Sequence, residues 1–501
     1  MERNVESTPD ETNSVERFTL IAAAVYFALR VIVRPLLSDT PEIDEGEQLL
    51  QSQSWQWGYG PQPPLYSWLQ MLLFDVFGRN IFALALLKNL LLFATCALAC
   101  AAGRTLSGSR RTGVAALLLL CFVPQFIWYS QNDLTHSVLA QFCTAALLLV
   151  ILRLLRQKST AGYLLVGVIM AAGVLSKYNF LVLLLAVLGA LLSWPAGRRL
   201  LCDWRTGLSI FIPLLLVAPH LDWVRHHPDL AFSKVGNLQV PVLPNVFLMW
   251  GRAFLQLLAA TLPYLLPVAA AGIYVLGRWP NRADISRSGP RPDGEIFLGR
   301  ILLGTVLFAL IVIFTVHANF DERWFQQNMF ALPLLAAVLL QPHLDARRIR
   351  RLGVAAGFVA VVVFSVLAGR VCLLGATHAV QKQNLPLAEL AGQLRAAGVE
   401  PQTILVEYFN PLGGAMLLAF PSATVLEPNQ VPLPAHGNVL VVWRADVRSG
   451  NTNALLRLAT KVGIADLPFN QAKFIEAPYK YWPGKSYRIG YLMLPETVAA
   501  K

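Results

Sequence analysis

The sequence predicts an all-α polytopic membrane protein that ends in a small α/β domain. Apolar residues make up 55% of the 501-residue chain and charged residues 14%, and the mean hydropathy is +0.53. These values lie far from those of soluble globular proteins. In addition, Lys and Arg residues are concentrated in alternate loops between the apolar segments. Membrane helices show this pattern because their positive loops stay in the cytoplasm.

Eleven apolar segments are candidate membrane spans, since a bilayer core about 30 Å thick needs roughly 20 residues of helix. The segments are residues 18–37, 80–103, 112–128, 134–152, 161–175, 178–194, 206–221, 254–277, 296–316, 325–341 and 352–372. If the arginine-rich loops are cytoplasmic, eleven spans leave the N-terminus in the cytoplasm and the C-terminus outside. We therefore predict a cytoplasmic tail at 1–17, a membrane domain at 18–372 and an outer domain at 373–501.

The net charge of +12 does not indicate nucleic-acid binding, because most of the excess lies in the predicted cytoplasmic loops, where membrane insertion explains it. The first span follows a polar, acidic tail and lacks a clear small-residue cleavage site. We therefore expect it to anchor the chain and not to be a removed signal peptide. The six cysteines show neither metal-ligand spacing nor a disulfide framework.

The first outer loop, residues 38–78, is acidic in an otherwise basic chain. It contains six carboxylates and neither Lys nor Arg. The acidic PEIDEGEQ at 41–48 precedes an aromatic, Gly- and Pro-rich run with tandem Pro63 and Pro64. These prolines stop the preceding element, and the amphipathic stretch LYSWLQMLLF that follows them resembles an interfacial helix. The loop is therefore predicted to be structured and to lie outside the membrane.

Several cations lie near the outer ends of the spans, where insertion does not require them. Ionisable groups at membrane depth are costly and usually face the protein interior or a wet cavity. They therefore indicate an anionic ligand such as a lipid phosphate. The alternative is that long side chains at span ends reach the membrane surface, an explanation that suits Lys177 and Arg323 least. The cations are Arg30, Arg34, Lys88, Lys177, Arg252 and Arg323.

The composition after the last span changes to that of a soluble domain. Short β-rich runs occur at 403–409, 438–444 and 487–494. The best helical patterns are LAELAGQLRAAG at 387–398 and NALLRLATKVG at 453–463. Strands that alternate with helices predict a small α/β domain on the outer face.

Six segments share an order along the chain and a common predicted placement on the outer face. The segments are the first outer loop with Asp44 and Glu45, GPQPPLYSWLQ at 60–70, YSQNDLTHS at 129–137, LSKYNF at 175–180, APHLDW at 218–223 and HANFDERWFQQNMFALP at 317–333. In this combination they resemble the polytopic membrane glycosyltransferases of the GT-C type, in particular the bacterial branch that includes lipid A aminoarabinose transferase, rhizobial galacturonosyltransferases and relatives of protein O-mannosyltransferases.

This resemblance implies the GT-C fold, a place in the bacterial inner membrane and a periplasmic C-terminal domain. It also implies an inverting-type transfer of a sugar from a polyprenyl phosphate to an acceptor outside the cytoplasm. The acceptor classes left open are lipid A, a surface glycan, another glycolipid and a protein hydroxyl. A lipid or polysaccharide transporter is the alternative function, but the sequence lacks the repeated halves that transporters often have.

Transfer of this kind needs a general base for the acceptor hydroxyl and positive charge near the departing phosphate. Asp44 occupies the position that resembles the family's first-loop acid, and Glu45 is the alternative. In a helix, Asp44 and Glu47 would share a face while Glu45 pointed elsewhere. The competing interpretation is a solvated acidic loop in which Asp44 caps a helix.

Lys177, Arg323 and Lys88 are the candidate ligands of the donor phosphate. The family pattern often places Lys where this chain has Gln62, so a phosphate contact is expected to come from elsewhere. Arg323 is suited to bind phosphate bidentately, but the adjacent Asp321 and Glu322 offer it an alternative partner.

The remaining candidates are proposed to contact substrate, and they are Gln62, Tyr66, Asp133 and His317. Asp133 resembles the family's second outer acid, but Asn132 or Asp133 would also suit the N-cap of the fourth span. No cofactor is predicted with certainty. No short metal-ligand spacing is present in the sequence, and a divalent metal remains open.

Overall fold

The computed structural model describes residues 9–233, 245–279, 292–315, 322–428, 435–445, 450–464 and 467–495. It confirms the predicted fold class, because long helices form most of the chain and a five-stranded sheet lies near its C-terminus. The helices are α1 Pro9–Leu37, α2 Ile43–Gln51, α3 Leu65–Phe77, α4 Ile81–Ser107, α5 Arg110–Leu120, α6 His136–Arg156, α7 Thr160–Val174, α8 Phe180–Leu192, α9 Pro195–Leu201, α10 Thr206–His226, α11 Val246–Leu276, α12 Asp293–Thr315, α13 Ala331–Leu340, α14 Ala346–Cys372, α15 Leu387–Ala396, α16 Asn410–Ala419 and α17 Gly450–Lys461.

Short helical segments connect some of these helices. They are the π-helix Gln125–Tyr129, the α-helical turns Ser130–Asn132, Pro228–Ala231, Gln326–Met329 and Leu374–Thr377, and the 3-10 turns Glu322–Trp324, Gln341–His343, Lys382–Asn384 and Phe469–Gln471. The strands are β1 Thr403–Val406, β2 Thr424–Leu426, β3 Val439–Arg444, β4 Lys473–Tyr479 and β5 Trp482–Leu494.

Seven of the described helices are long and apolar enough to cross a membrane, or nine if each of two bent pairs is one span. The seven are α1, α4, α6, α10, α11, α12 and α14, and each contains most of a predicted span. The bent pairs are α5 with the segment 125–132, at 67°, and α8 with α9, at 115°. Pro124 and Pro195 stand at the start of the second member of each pair, where a proline interrupts backbone hydrogen bonding.

The other two predicted spans correspond to shorter helices. The predicted span 161–175 is the helix α7 of 15 residues, and 325–341 contains α13 of 10 residues. Both are shorter than the roughly 20 residues that a straight crossing needs. The sequence count of eleven therefore exceeds the count from helix length, because apolar composition does not reveal where a helix is interrupted.

Residue contacts divide the chain into two compact units that do not follow the linear order. The first unit contains Met1–Ala28, Lys88–Arg225 and Lys234–Val363. The second contains Leu29–Leu87, His226–Ser233 and Phe364–Lys501. The first outer loop thus belongs to the same unit as the C-terminal domain.

The sheet of the second unit has the strand order β2-β1-β3-β5-β4. Strands β1, β2 and β3 are parallel, and β5 is antiparallel to β3 and β4. The three β-rich runs of the sequence correspond to β1, β3 and β5, and its two helical patterns to α15 and α17. The short strand β2, the exposed strand β4 and the Gly-rich helix α16 were not predicted, because none of them has a strong periodic pattern.

Buried residues from both faces of this sheet form two apolar cores. One core contains Leu455 and Leu458 of α17. The other contains Leu412 and Met416 of α16 together with Leu49 and Leu50 of α2. A segment of the first outer loop is therefore part of the hydrophobic core of the C-terminal domain.

Candidate active site

The helix α2 presents the acidic residues of the first outer loop. It begins after Glu42, whose side chain forms a reciprocal capping box with Glu45. The prediction that Asp44 caps a helix is therefore wrong. Asp44 and Glu47 are half-buried and lie three residues apart on one face, whereas Glu45 is buried. The helix therefore separates the two candidate bases onto different surfaces.

Glu45 is held by Arg34, near the end of α1. Arg34 Nη2 donates to Glu45 Oε2 at 2.6 Å and Arg34 Nε donates to Oε1 at 3.3 Å. The amide of Glu42 also donates to Glu45 Oε2, at 2.9 Å. The side chains of Arg34 and Glu45 are only 6% and 3% exposed. A carboxylate with both oxygens engaged in a buried ion pair is a poor proton acceptor for a substrate, so this geometry favours Asp44 over Glu45.

The guanidinium of Arg34 also ties the loop between α1 and α2 together. Its Nη1 donates to the carbonyl of Ser38 and its Nη2 to the carbonyl of Thr40, both at 2.8 Å. A planar guanidinium with bidentate and carbonyl contacts of this kind fixes geometry better than an ammonium would. The sequence identified Arg34 as a candidate for an anionic ligand, and the structure gives it a carboxylate of its own chain.

Tyr66 is fully buried on α3, which follows α2 in the second unit. Burial raises the pKa of its hydroxyl well above the usual range, and the negative charges of Glu45 and Asp44 raise it further. Tyr66 therefore keeps its proton and remains a hydrogen-bond donor near the acidic helix. Gln62 lies just before α3, is half-buried, and exchanges backbone hydrogen bonds with Tyr59.

A buried polar layer lies between α2 and α3. Gln51 Oε1 accepts from Ser67 Oγ at 2.5 Å and from Gln48 Nε2 at 3.3 Å. One turn further along α3, Gln70 is fully buried, and neither polar atom of its amide has a hydrogen-bond partner among the described residues. Buried amides are normally satisfied by protein or by ordered water. This layer continues along the face of α2 that carries Asp44.

The first unit contains all three candidate phosphate ligands. Lys177 lies in the turn between α7 and α8, and its Nζ donates to Ser137 Oγ on α6. Two residues later, Asn179 Nδ2 donates to the backbone carbonyl of Arg323 at 3.2 Å and to Gln327 Oε1 at 3.1 Å. The structure thus brings the segments of Lys177 and Arg323 together, and the side chain of Arg323 is exposed.

An aromatic stack lies beside this turn. The hydroxyl of Tyr178 is 3.1 Å from His220 Nε2, and the His220 ring stacks on Tyr178 and on Trp223. His220 is buried. His220 is not among the candidate site residues predicted from the sequence. Its place in the segment APHLDW, three residues before Trp223, is the sequence signal that could have identified it.

Lys88 and Asp133 also belong to the first unit. Lys88 is buried on α4, and the neighbouring Asn89 accepts from Gln131 Nε2 at 3.0 Å. Asp133 is half-buried in the turn before α6. The prediction that Asn132 or Asp133 caps this helix is wrong, because α6 begins after Thr135 and neither residue stands at its N-cap.

The site candidates therefore divide between the two units. Asp44, Glu45, Gln62 and Tyr66 belong to the second, and Lys88, Asp133, Lys177 and Arg323 belong to the first. His317 lies outside the described residues, as do Asp321 and the side chain of Glu322. Across the part of the chain that the structure describes, no three His, Cys, Asp or Glu residues are grouped so that they could hold a metal ion.

Comparison with known sequences gives full-length relatives. Residues 61–223 match the family described as dolichyl-phosphate-mannose-protein mannosyltransferase. The chain is 30% identical to the lipopolysaccharide core galacturonosyltransferase RgtA of Rhizobium johnstonii, over 97% of this chain and 99% of the relative. It is also 30% identical to the core galacturonosyltransferase RgtB of the same organism, over 95% of this chain and 96% of the relative.

Comparison with solved structures gives the same fold. ArnT from Cupriavidus metallidurans bound to undecaprenyl phosphate superposes with a TM-score of 0.59 at 13% identity, over 93% of this chain and 97% of that chain. The apo state of the same protein gives a TM-score of 0.58 at 13% identity, over 94% and 98% of the two chains. At this identity the match concerns the fold.

Proposed function

Since this chain belongs to the GT-C family of polytopic membrane glycosyltransferases, we propose that it transfers a sugar from a polyprenyl-phosphate donor to an acceptor on the periplasmic side of the bacterial inner membrane. The observation that carries this proposal is the match to two lipopolysaccharide-modifying transferases along almost the whole chain. The arginine-rich loops would then be cytoplasmic, and α2 and the C-terminal domain periplasmic.

The relatives also point to the substrates. Both are lipopolysaccharide core galacturonosyltransferases, so we propose a hexuronosyl group as the sugar and the lipopolysaccharide core as the acceptor. Lipid A or another glycolipid is the nearest variant of this acceptor. An acceptor of this kind presents sugar hydroxyls, which need a general base to become good nucleophiles.

In the proposed reaction, Asp44 accepts the proton of an acceptor hydroxyl. The hydroxyl oxygen attacks the anomeric carbon, and the bond between that carbon and the phosphate oxygen breaks. The electron pair leaves with the polyprenyl phosphate, and attack from the opposite side inverts the anomeric centre. General-base assistance of this kind is typically worth about 10² to 10⁴ in rate. The half-buried position of Asp44 and the engagement of Glu45 by Arg34 support this assignment.

Lys177 and Arg323 are proposed to stabilise the phosphate as it acquires charge. Their segments are joined by the hydrogen bond from Asn179 to the Arg323 carbonyl, which places two cations on neighbouring backbone. Charge-assisted contacts to phosphate are stronger than neutral ones, and fixed cations aimed at developing charge lower the barrier. Lys88, Asp133, Gln62, Tyr66 and His317 are proposed as further contacts to donor or acceptor.

Mass spectrometry of the lipopolysaccharide tests the proposal. A strain without an active copy is expected to lack one hexuronosyl residue on its core glycan, and the wild-type copy should restore it. Asp44→Asn should not restore it, whereas Asp75→Asn should, because Asp75 is an exposed acid of the same loop. An unchanged core and lipid A in the mutant strain would contradict the proposed acceptor.

Two other functions predict different products. A protein mannosyltransferase, as in the description of the family that residues 61–223 match, would leave the glycolipids unchanged and shift the mass of periplasmic proteins. A transporter forms no covalent product, so Asp44→Asn would not abolish one. Loss of a transporter would instead cause a lipid-linked glycan to accumulate on the cytoplasmic side.

A further inference from the structure

The C-terminal sheet contains a feature that ordinarily marks a binding crevice. The chain leaves β1 through α16 to reach β2 on one side, and β3 then lies on the other side of β1. In open parallel sheets, ligands bind outside the carboxyl ends of the strands at such a switch point. Here the carboxyl ends of β1, β2 and β3 carry Glu407, Glu427 and Arg444.

In this chain the helix α2 of the first outer loop lies at that edge. A Cβ added to Gly46 of α2 would lie 2.2 Å from the carbonyl oxygen of Asn410, at the start of α16. A Cβ added to Gly414 would lie 2.9 Å from the Cα of Gly46. Only glycines allow the two helices to approach this closely. Two hydrogen bonds extend the contact to β2. The Val425 amide donates to Gln53 Oε1 at 2.7 Å, and Gln53 Nε2 donates to the Val425 carbonyl at 2.8 Å.

The start of α2 is fastened to the C-terminal chain as well. Ser38 Oγ donates to the carbonyl of Gln383, and Thr40 Oγ1 donates to the carbonyl of Leu385, both at 2.6 Å. Gln383 Nε2 in turn donates to Glu42 Oε1 at 2.9 Å. These are the same loop residues whose carbonyls Arg34 holds. Both ends and the back of α2 are therefore fixed, and the face with Asp44 and Glu47 is the one that remains half-buried.

We propose that the C-terminal domain is a positioning element for the transfer reaction, with α2 held at its switch point in place of a ligand, and that Arg34, Gln383 and Gly414 are positioning residues for Asp44. This inference rests on the proposed function of Asp44. A catalytic group must be held near its productive geometry, since a displacement of about 1 Å can cost roughly 10² in rate. A short helix of nine residues does not hold such a position alone.

Gly414→Ala tests the contact, with Gly392→Ala as its matched control. The added methyl at Gly414 meets the backbone of α2, whereas a Cβ at Gly392, on α15 of the same domain, meets nothing within 4 Å. In the purified full-length protein, Gly414→Ala is expected to lower kcat about 10- to 100-fold with an unchanged KM for the lipid donor. Gly392→Ala is expected to keep the kcat of the wild-type protein.

Hydrogen exchange gives a second readout that does not depend on the reaction. The backbone amides of residues 43–51 should exchange faster in Gly414→Ala than in the wild-type protein, and at the wild-type rate in Gly392→Ala. The amides of α6 should exchange at the wild-type rate in both variants. Gln383→Leu removes the hydrogen bond to Glu42 without a steric clash, and it is also expected to lower kcat. It therefore tests the inference even if Gly414→Ala does not fold. Arg34→Lys should retain more kcat than Arg34→Gln, because it keeps the charge but loses the bidentate fork.

The outcomes separate this inference from the proposed function. If Asp44→Asn abolishes transfer while Gly414→Ala and Gln383→Leu keep both wild-type kcat and wild-type exchange of α2, the positioning role is wrong and the reaction stands. If Asp44→Asn retains full activity, the catalytic assignment is wrong. In that case, faster exchange of α2 in Gly414→Ala would still support its attachment to the C-terminal domain, and unchanged exchange would overturn it.

Discussion

The acidic helix α2 and the basic turn around Lys177 and Arg323 carry the predicted chemistry, and the protein holds them differently. The helix is fixed by a buried ion pair, a capping box and close helix contact. The turn is held by a few hydrogen bonds, and one of its two cations is exposed. The comparison teaches that charge alone does not identify a reactive group. Glu45 and Arg34 are both charged, but they form a buried ion pair with each other.

This difference predicts that substitutions in α2 affect the chemical step most. Asp44→Asn is expected to lower kcat by about 10² to 10⁴, since the amide cannot accept the hydroxyl proton. Single-turnover rates with a lipid-linked donor would measure this loss. Asp75→Asn is the control in the same loop and should keep the wild-type kcat. A comparable kcat in the two variants would contradict the assignment of Asp44 as the general base.

The buried pair predicts a large effect on stability. Arg34→Leu should lower the free energy of unfolding by about 3 to 5 kcal/mol, because it leaves the charge of Glu45 buried without its partner. Thermal unfolding in detergent is the measurement. The double variant Arg34→Leu with Glu45→Leu should recover much of the loss. If the single variant unfolds at the wild-type temperature, the pair does not hold the loop.

The basic turn predicts a smaller effect, and on binding. Lys177→Gln should raise the KM for the donor about 10- to 100-fold, the range for loss of a hydrogen bond to a charged group. Arg323→Gln should raise it less, because an exposed contact is screened by solvent and salt. Titration of the donor at two salt concentrations would compare them, with the exposed Arg395→Gln as control. An equal KM in all variants would place phosphate binding elsewhere.

The smallest expected effect concerns Glu427, which lies behind α2. Burial raises the pKa of its carboxyl well above the usual range, the charges of Glu47 and Glu407 raise it further, and the Phe409 amide opposes them. The folded state therefore binds this proton more tightly than the unfolded state does. The contribution of this carboxyl to the free energy of unfolding is fully present below its unfolded-state pKa of about 4.5. It decreases as the pH rises towards the raised pKa of the folded state.

Glu427→Gln removes this dependence. The variant should resemble the wild-type protein near pH 4 and be more stable than it at pH 8. Melting temperatures across that range would show the difference. A constant offset between the two proteins at all pH values would mean that Glu427 does not titrate between the folded and unfolded states.

Much of this molecule follows from local sequence. Apolar runs determine where α1, α4 and α14 lie, since a bilayer requires long apolar helices. Short β-rich runs determine β1, β3 and β5, and the acidic composition of residues 38–78 marks the loop that contains α2. Interruptions at Pro124 and Pro195 could have been predicted from the prolines.

Only the tertiary structure decided which charges are reactive candidates and what holds them. The pairing of Arg34 with Glu45 and the bond from Gln383 to Glu42 join residues that are 11 and 341 positions apart. No local sequence pattern predicts such contacts, because the same residue type stands in the sequence whether its side chain contacts another residue or a substrate. The sequence determined that residues 38–78 are acidic and lie among membrane helices. The tertiary structure determined that Glu45 is engaged by Arg34 in a buried ion pair, while Asp44 lies half-buried on the other face of α2.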